Sequence, residues 1–446
     1  MEWCLRNTGE KILNIAYDMK VEAEAFLMHN RELNIEVANG KVETLKQAEE
    51  KGLGIRVINN GKLGFVYTSD LSDRALKEAV ISAVYISKYM KEDEHNVLTS
   101  NNQIYHHLSL YDPDIEKESL KNKIELAKEA EKAALSADPR INIIEKAGYE
   151  DNFFTSVIMN TNGLTASASA NFCGSYIFLV AEENGDAQNG FSMMLTRRLK
   201  GLSPEQIGKE AAFDALRSLN PKSITTGKMT CIMEPSVVTR FLGIIASMVN
   251  ADAVQKGKSM LEGKIGEKVA SDNFTLIDDG LCEKGVGAFP FDGEGTASSR
   301  KVLIENGVLK GFLYDNYTAS KEGKKSTGNG QRRSFRTLPG VGTTNFMVKP
   351  GEKTPDELIS DIKRGFYITE VIGMHTANPI TGEFSVGAAG IMIENGRLTY
   401  PVKGAAIAGN LADFLKDIEG IGNDLRFYGA KAAPTIRIKS LSIAGD

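Results

Sequence analysis

The stretch Gly373 to Asn395 reads GMHTANPITGEFSVGAAGIMIEN and runs into Gly396. Its strand-like apolar residues are interrupted by small polar ones and by four glycines, a mixture that suits a backbone-lined groove rather than a plain core. The closing Asn395-Gly396 lies between apolar runs, which is the signal of a tight hairpin. His375 is the one histidine in the last three quarters of the chain. Imidazole is the side chain most readily used for acid/base or metal chemistry near neutral pH, although a lone histidine also serves as a hydrogen-bonded loop residue.

Outward from this stretch, the Ile-Glu-Asn-Gly turn recurs. Val302 to Leu313 (VLIENGVLKGFL) and Ile391 to Val402 (IMIENGRLTYPV) read as two similar hairpins, and two copies do not make a solenoid. From Phe274 on, strand patterns dominate. Upstream lie a strand, Lys228 to Met233, and an amphipathic helix, Pro235 to Ala251. The helix carries Val237, Val238, Phe241, Leu242, Ile244, Ile245, Met248 and Val249 on one wide stripe, read as core. Between the hairpins, Gly323 to Arg336 (GKKSTGNGQRRSFR) is too poor in apolar residues to order itself, and reads as a mobile loop or a flap over a groove. Arg332, Arg333 and Arg336 there could meet a peptide carboxylate.

The N-terminal half alternates differently. A helix is expected over Thr8 to Tyr17, followed by strands with turns at Asn39-Gly40 and Asn59-Asn60-Gly61. Asp70 or Ser72 caps a helix to about Met90, and a charged, solvated helix follows over Ile115 to Leu135. Asn142 to Ser192 returns to strands, with candidate turns at Asn162-Gly163, Asn184-Gly185 and Asn189-Gly190. A helix over Ser203 to Leu219 ends before Asn220-Pro221. At 446 residues the chain exceeds one ordinary core. The expected fold is therefore α+β in two domains parted near Pro221 to Gly227. Residues 1–222 form an antiparallel sheet with helices, and residues 223–446 a β-rich domain with a curved or barrel-like sheet.

Composition narrows the function. A hydrophobic share of 42% and a charged share of 25% are those of a soluble globular chain, and a net charge of -5 argues against a nucleic-acid surface. No apolar segment is long enough to span a bilayer, and the N-terminus lacks the apolar core of a signal peptide. Cys4, Cys173, Cys231 and Cys282 form no zinc spacing, so reduced thiols in a cytoplasmic protein are expected. There is no HExxH helix, phosphate loop or GxSxG elbow. His106 and His107 are adjacent and point to opposite faces of a strand, which makes a poor chelate. Asp278-Asp279-Gly280 and Phe291-Asp292-Gly293-Glu294-Gly295 place carboxylates in Gly-rich segments, where the turn reading outweighs a cation site. No metal site and no complete catalytic set is read from the residues.

Several blocks in order resemble the TldD/PmbA family, the modulators of DNA gyrase, and its PmbA (TldE) branch in particular. They are Gly52 to Val57, Gly64 to Leu71, Gly263 to Val269, Phe291 to Gly295, Ser326 to Gly330, Gly373 to Gly387, Ile393 to Gly396 and Pro401 to Gly404. The resemblance implies a cytosolic metalloprotease in which a TldD-type subunit holds zinc on an HExxxH helix and pairs with a TldE-type subunit to process peptides or unfolded proteins. Here the helix before Gly263 ends in Val249-Asn250-Ala251-Asp252 and has neither the histidines nor the glutamate, and Gly373 to Gly387 has no cysteine. The resemblance thus implies no cofactor in this chain, zinc in a TldD-type partner, and a heterodimer, or a homodimer when the chain is alone. It makes His375, Thr376, Asn378, Thr381 and Glu383, with Arg332 and Arg333, candidates to line a shared substrate cavity. The alternative for the former group is a set of polar residues fixing a tight turn around Pro379. Two other readings stand beside this one: a regulatory binding protein acting on gyrase or a toxin-antitoxin system, and a stand-alone homodimeric peptidase.

Overall fold

A computed structural model describes residues 2–445. Six strands, β1 (Glu22–Ala38), β2 (Lys41–Asn59), β3 (Lys62–Thr68), β4 (Ile141–Asn160), β5 (Thr165–Glu183) and β6 (Asp186–Thr196), form one antiparallel sheet in the order β3-β2-β1-β4-β5-β6. Its hairpins turn on Asn39-Gly40, Asn60-Gly61 and Asn184-Gly185, where both residues take positive φ. That left-handed pair matches the twist of the flanking strands, and only Asn and Gly adopt it at low cost.

The two faces of this sheet do different work. Ala23, Ala25 and Leu27 of β1 pack beneath helices α1 (Glu2–Asp18) and α2 (Asp73–Lys88). Farther along, Ile35 and Val37 lie beneath α4 (Leu120–Leu135), which follows the short α3 (Pro113–Lys117), and this core is shared with α5 (Pro204–Leu216). The alternate residues Phe26 and Met28 turn to the opposite face, where Phe291 and Phe335 from the C-terminal half meet them.

Past α5 the chain builds a closed five-stranded barrel from β7 (Gly227–Met233), β8 (Arg364–Ile372), β9 (Glu383–Glu394), β10 (Arg397–Asn410) and β11 (Ile436–Ala444). Pairing runs β10-β9-β8-β7-β11, and β11 closes on β10 through Ala406 opposite Ala444. The curved, barrel-like sheet expected from the sequence is therefore present. Helix α6 (Pro235–Met248) buries Val237, Val238, Phe241, Leu242, Ile245 and Met248, with Phe241 stacked on Phe414 at 4.9 Å between centroids. The short helices α7 (Ala251–Gln255) and α8 (Asn316–Lys321) lie side by side, Gln255 donating to the carbonyl of Thr318 at 2.8 Å. A second sheet carries the Arg300–Glu305 and Val308–Leu309 hairpin, turned on Asn306-Gly307 as the second Asn-Gly echo is on Asn395-Gly396.

Four expectations change. α1 starts at Glu2, because the stripe Leu5, Ile12, Leu13, Ala16 extends back beyond Thr8, whose hydroxyl donates to the Cys4 carbonyl instead of capping. The Ile115 to Leu135 helix breaks at Glu118, where Ser119 caps a fresh start. Asn189-Gly190 is inside β6 and makes no turn. Gly190 is needed there because an added Cβ would sit 2.0 Å from the carbonyl oxygen of Ala211 on α5. The fourth, the ordering of Gly323 to Arg336, bears directly on the site.

Candidate functional site

Gly323 to Arg336 is not a free loop. Asn329 donates to Asp278 at 3.0 Å and to the Gly342 carbonyl at 2.8 Å, Phe335 is fully buried, and Arg336 reaches Glu50 at 2.7 Å. Composition counts only what a segment can bury within itself. This one is ordered by a surface that the N-terminal sheet supplies. Gly52 and Gly54 of β2 make the room, since a Cβ at Gly52 would be 2.3 Å from the Phe335 ring and one at Gly54 2.3 Å from its carbonyl oxygen.

The side chain of Arg332, expected to meet a substrate carboxylate, is 1% exposed and ion-paired with Glu24 of β1, itself fully buried. Its Nε donates to the Gly293 carbonyl at 2.6 Å. Arg56 of β2 completes the group by donating to Glu24 at 2.8 Å and to Glu294 at 2.9 Å. The acidic segment Phe291 to Gly295 is therefore half of a buried ionic junction between the two halves of the chain. Burial raises the Arg56 guanidinium's need for partners, and the two carboxylates beside it hold its pKa above the ordinary value. Asp292 accepts from the amides of Glu294, Thr296 and Gly330, yet burial and the charge of Glu294 push its carboxyl up to about 8. Asp278, expected in a turn, instead lies in a strand, Leu276–Asp279, because it pairs with neighbours on both sides. It is fully buried and accepts from the amide and hydroxyl of Thr344.

Above this junction opens a cleft of about 850 Å³, walled by Arg56 and the 90–96 loop on one side and by Asn250, Asp252, Glu294, Asp315, Tyr317 and Leu338 to Val341 on the other. Asp93 accepts from the amide of His95 and the hydroxyl of Tyr317, which hold its carboxyl below the usual range. Asp252 pairs with Lys256 at 2.7 Å, and Asn250 donates to the carbonyl of Val341 at 3.0 Å. His95, the cleft's single imidazole, contacts Ser320 at 3.2 Å. Gly340–Val341 pairs only with Gly330–Gln331, and no atom lies within 4 Å of a Cβ built on Gly340, so a backbone can approach it.

His375, Thr376, Asn378, Thr381 and Glu383 lie elsewhere. All five are exposed, at the barrel end that leads into β9. Gly373 takes a left-handed φ of 86°, and the Asn378 side chain accepts from the amides of Ile380 and Thr381. The Asn378 amide donates to Glu383, and Asn410 donates to the Thr381 carbonyl at 2.8 Å. The stretch is thus a tightly tied turn around Pro379, and none of the five borders the 850 Å³ cleft. Arg333 is exposed and makes no ion pair among the described residues. The residues that sequence reasoning missed, Asp252, Asp315 and the 90–96 loop, come from distant segments. Asp315 caps α8, and Asp252 sits in the first turn of α7, which Asn250 caps.

Among the described residues no three His, Cys, Asp or Glu side chains converge as a metal requires, and no helix is long and apolar enough to cross a membrane.

Comparison with known proteins places this geometry. Residues 226–445 match the PmbA/TldA metallopeptidase C-terminal domain, residues 23–87 its domain 1 and residues 113–219 its central domain. The chain is 28% identical to "Metalloprotease PmbA" of Escherichia coli O157:H7 over 440 residues, covering 97% of this chain and 94% of that protein. It is 30% identical to an uncharacterized protein of Methanocaldococcus jannaschii over 434 residues, covering 96% and 98%. A crystal structure from Thermotoga maritima, named as a candidate modulator of a DNA gyrase, superposes with a TM-score of 0.92 at 31% identity, covering 98% of this chain and all of that one. TldE from Thermococcus kodakarensis shares the fold, with a TM-score of 0.91 at 24% identity, covering 98% and 100%.

Proposed function

The chain belongs to the PmbA/TldD metallopeptidase family, and from that premise we propose that it is the non-metal-binding subunit of a cytosolic TldD/TldE-type protease that processes or degrades peptides and unfolded proteins. Family membership implies a metal, and the donor chemistry of the cleft is what speaks against its being held here. The α6–α7 junction presents Asn250 and Asp252, and Asp252 is already paired with Lys256. The one imidazole, His95, stands beside a serine hydroxyl. Zinc calls for three or four nitrogen, sulfur or carboxylate donors converging at about 2.0–2.3 Å. The cleft's carboxylates are instead drawn apart to Arg56, Lys256, His95 and Tyr317, and among the described residues no three donors converge.

In this reading the chain's own residues bind and orient. An extended peptide lies along the Leu338 to Val341 wall, where Gly340 allows its backbone to come close. The buried junction of Glu24, Arg56, Glu294 and Arg332 holds the two walls at a fixed separation. The exposed turn carrying His375, Thr376, Asn378, Thr381 and Glu383 faces the TldD-type partner, which brings the zinc, and lines the cavity the two subunits share. The test is peptide hydrolysis by the purified chain alone, by a TldD-type protein from the same source, and by the two together. The mixture is expected to cleave and the chain alone to be inert. Cleavage by the chain alone, or a mixture no more active than the TldD-type protein, would remove the subunit reading.

A further inference from the structure

We propose that the cleft between the two halves is a receptor for a cationic group of a peptide, either its α-ammonium or a lysine or arginine head, taken by Asp315 and Asp252. This rests on the reading of the chain as a peptide-holding subunit and adds the class of peptide that it takes.

The argument starts from which carboxylate oxygens are already used. Glu294 spends Oε1 on Arg56 and Oε2 on the amide of Asn316. Asp93 spends both oxygens on His95 and Tyr317. Asp315 is different. It is 5% exposed and borders the cleft, and its Oδ1 caps α8 by accepting from the amide and hydroxyl of Thr318. Among the described residues its Oδ2 accepts nothing. Oδ2 is not among the fully enclosed unpartnered polar atoms, so it is the oxygen through which this largely buried carboxylate reaches the cleft. On the neighbouring helix α7, Asp252 likewise commits only Oδ2, to Lys256.

The surrounding charge selects the occupant. The cleft lining carries six carboxylates against two cations, Arg56 and Lys91, and Arg56 is locked between Glu24 and Glu294. An anionic group entering here meets net repulsion, and a neutral one leaves Asp315 unpaired. A cation satisfies Asp315 and offsets the negative lining. Burial and the charge of Glu294 already push the Asp315 carboxyl up, a strain that an incoming positive charge relieves. The volume of about 850 Å³ accommodates a side chain together with several residues of backbone along Leu338 to Val341.

The experiment is calorimetric titration of the full-length chain with a hexapeptide of one lysine and five alanines, free at its amino terminus, and with three relatives. In one the amino terminus is acetylated, in another norleucine replaces lysine, and in the third both changes are made. The free peptide should bind and the doubly neutral one should not. Loss on acetylation alone assigns the amino terminus as the cation, and loss on norleucine replacement alone assigns the side chain. Asp315→Asn should weaken binding about tenfold or more, the scale of one charge-assisted hydrogen bond. Because Asp315 also caps α8, Asp252→Asn, at a more open position, repeats the test and should weaken binding several-fold. Equal binding of the cationic and neutral peptides, undiminished binding by both variants, or no binding at all would overturn the proposal. The subunit reading fails on other evidence, the hydrolysis comparison, which this titration does not read.

Discussion

Replacing Arg332 with methionine separates a substrate-binding arginine from a structural one. The methionine keeps much of the apolar stem but removes the charge, leaving the fully buried Glu24 with Arg56 as its sole cation. Removing one partner of a buried ion pair costs about 3–5 kcal/mol, mostly through the charge left behind. Arg56 retains a 2.8 Å bond to Glu24, so the lower end, about 3 kcal/mol, is expected. Arg333→Ala, one residue along but exposed, should change stability by less than about 0.5 kcal/mol. Urea denaturation followed by circular dichroism reads both. Arg332→Met should lower the midpoint and Arg333→Ala should leave it in place. If both variants unfold at the wild-type midpoint, the buried junction does not hold the two halves together, and Arg332 returns to the substrate candidates.

Other consequences follow from the same contacts. Gly54→Ala would set a methyl group against the Phe335 carbonyl and should cost about 1–3 kcal/mol, whereas Gly227→Ala, with no atom within 4 Å of the new Cβ, should be close to neutral in the same denaturation assay. Burial and Glu294 let Asp292 keep its proton to about pH 8 in the folded chain, while an unfolded aspartate loses it near pH 4. The folded state therefore holds the extra proton between these values. The contribution of this group is complete below about pH 4 and is lost as pH rises through about 8. Glu294→Gln should move the upper end of that loss to lower pH in stability profiles, and an unchanged profile would contradict the assignment. A His375→Ala, Glu383→Ala double variant should melt like the wild type, both residues being exposed, but should slow peptide cleavage by the two-subunit mixture. Cleavage at the unaltered rate would remove that turn from the shared cavity.

The hairpins were legible because Asn-Gly acts locally. Asn39-Gly40, Asn306-Gly307 and Asn395-Gly396 all take the backbone that their residue types favour. The α6 stripe was legible for a similar reason, since its period alone identifies a buried face. Asn189-Gly190 misled because a glycine can also be required where a helix carbonyl presses on a strand, here that of Ala211 on α5. Gly323 to Arg336 misled in the same way. Its one aromatic is seated by Gly52 and Gly54, Arg332 by Glu24 and Arg336 by Glu50, partners that sequence order hides. The 373–383 stretch reads first as a groove and its five polar residues as cavity lining, with a turn around Pro379 as the alternative. The structure shows the tied turn, and nothing local to it could place those side chains relative to a cleft that forms from segments near 56, 93, 252, 294, 315 and 340.

The most direct measurement of the central claim is zinc stoichiometry of the purified chain after equilibration with zinc and removal of free metal, set beside that of a TldD-type protein treated identically. The account predicts that the TldD-type protein retains zinc and this chain does not. One tightly held zinc per chain, lost when Asp252 and His95 are replaced, would contradict it and move the catalytic metal into the cleft described above.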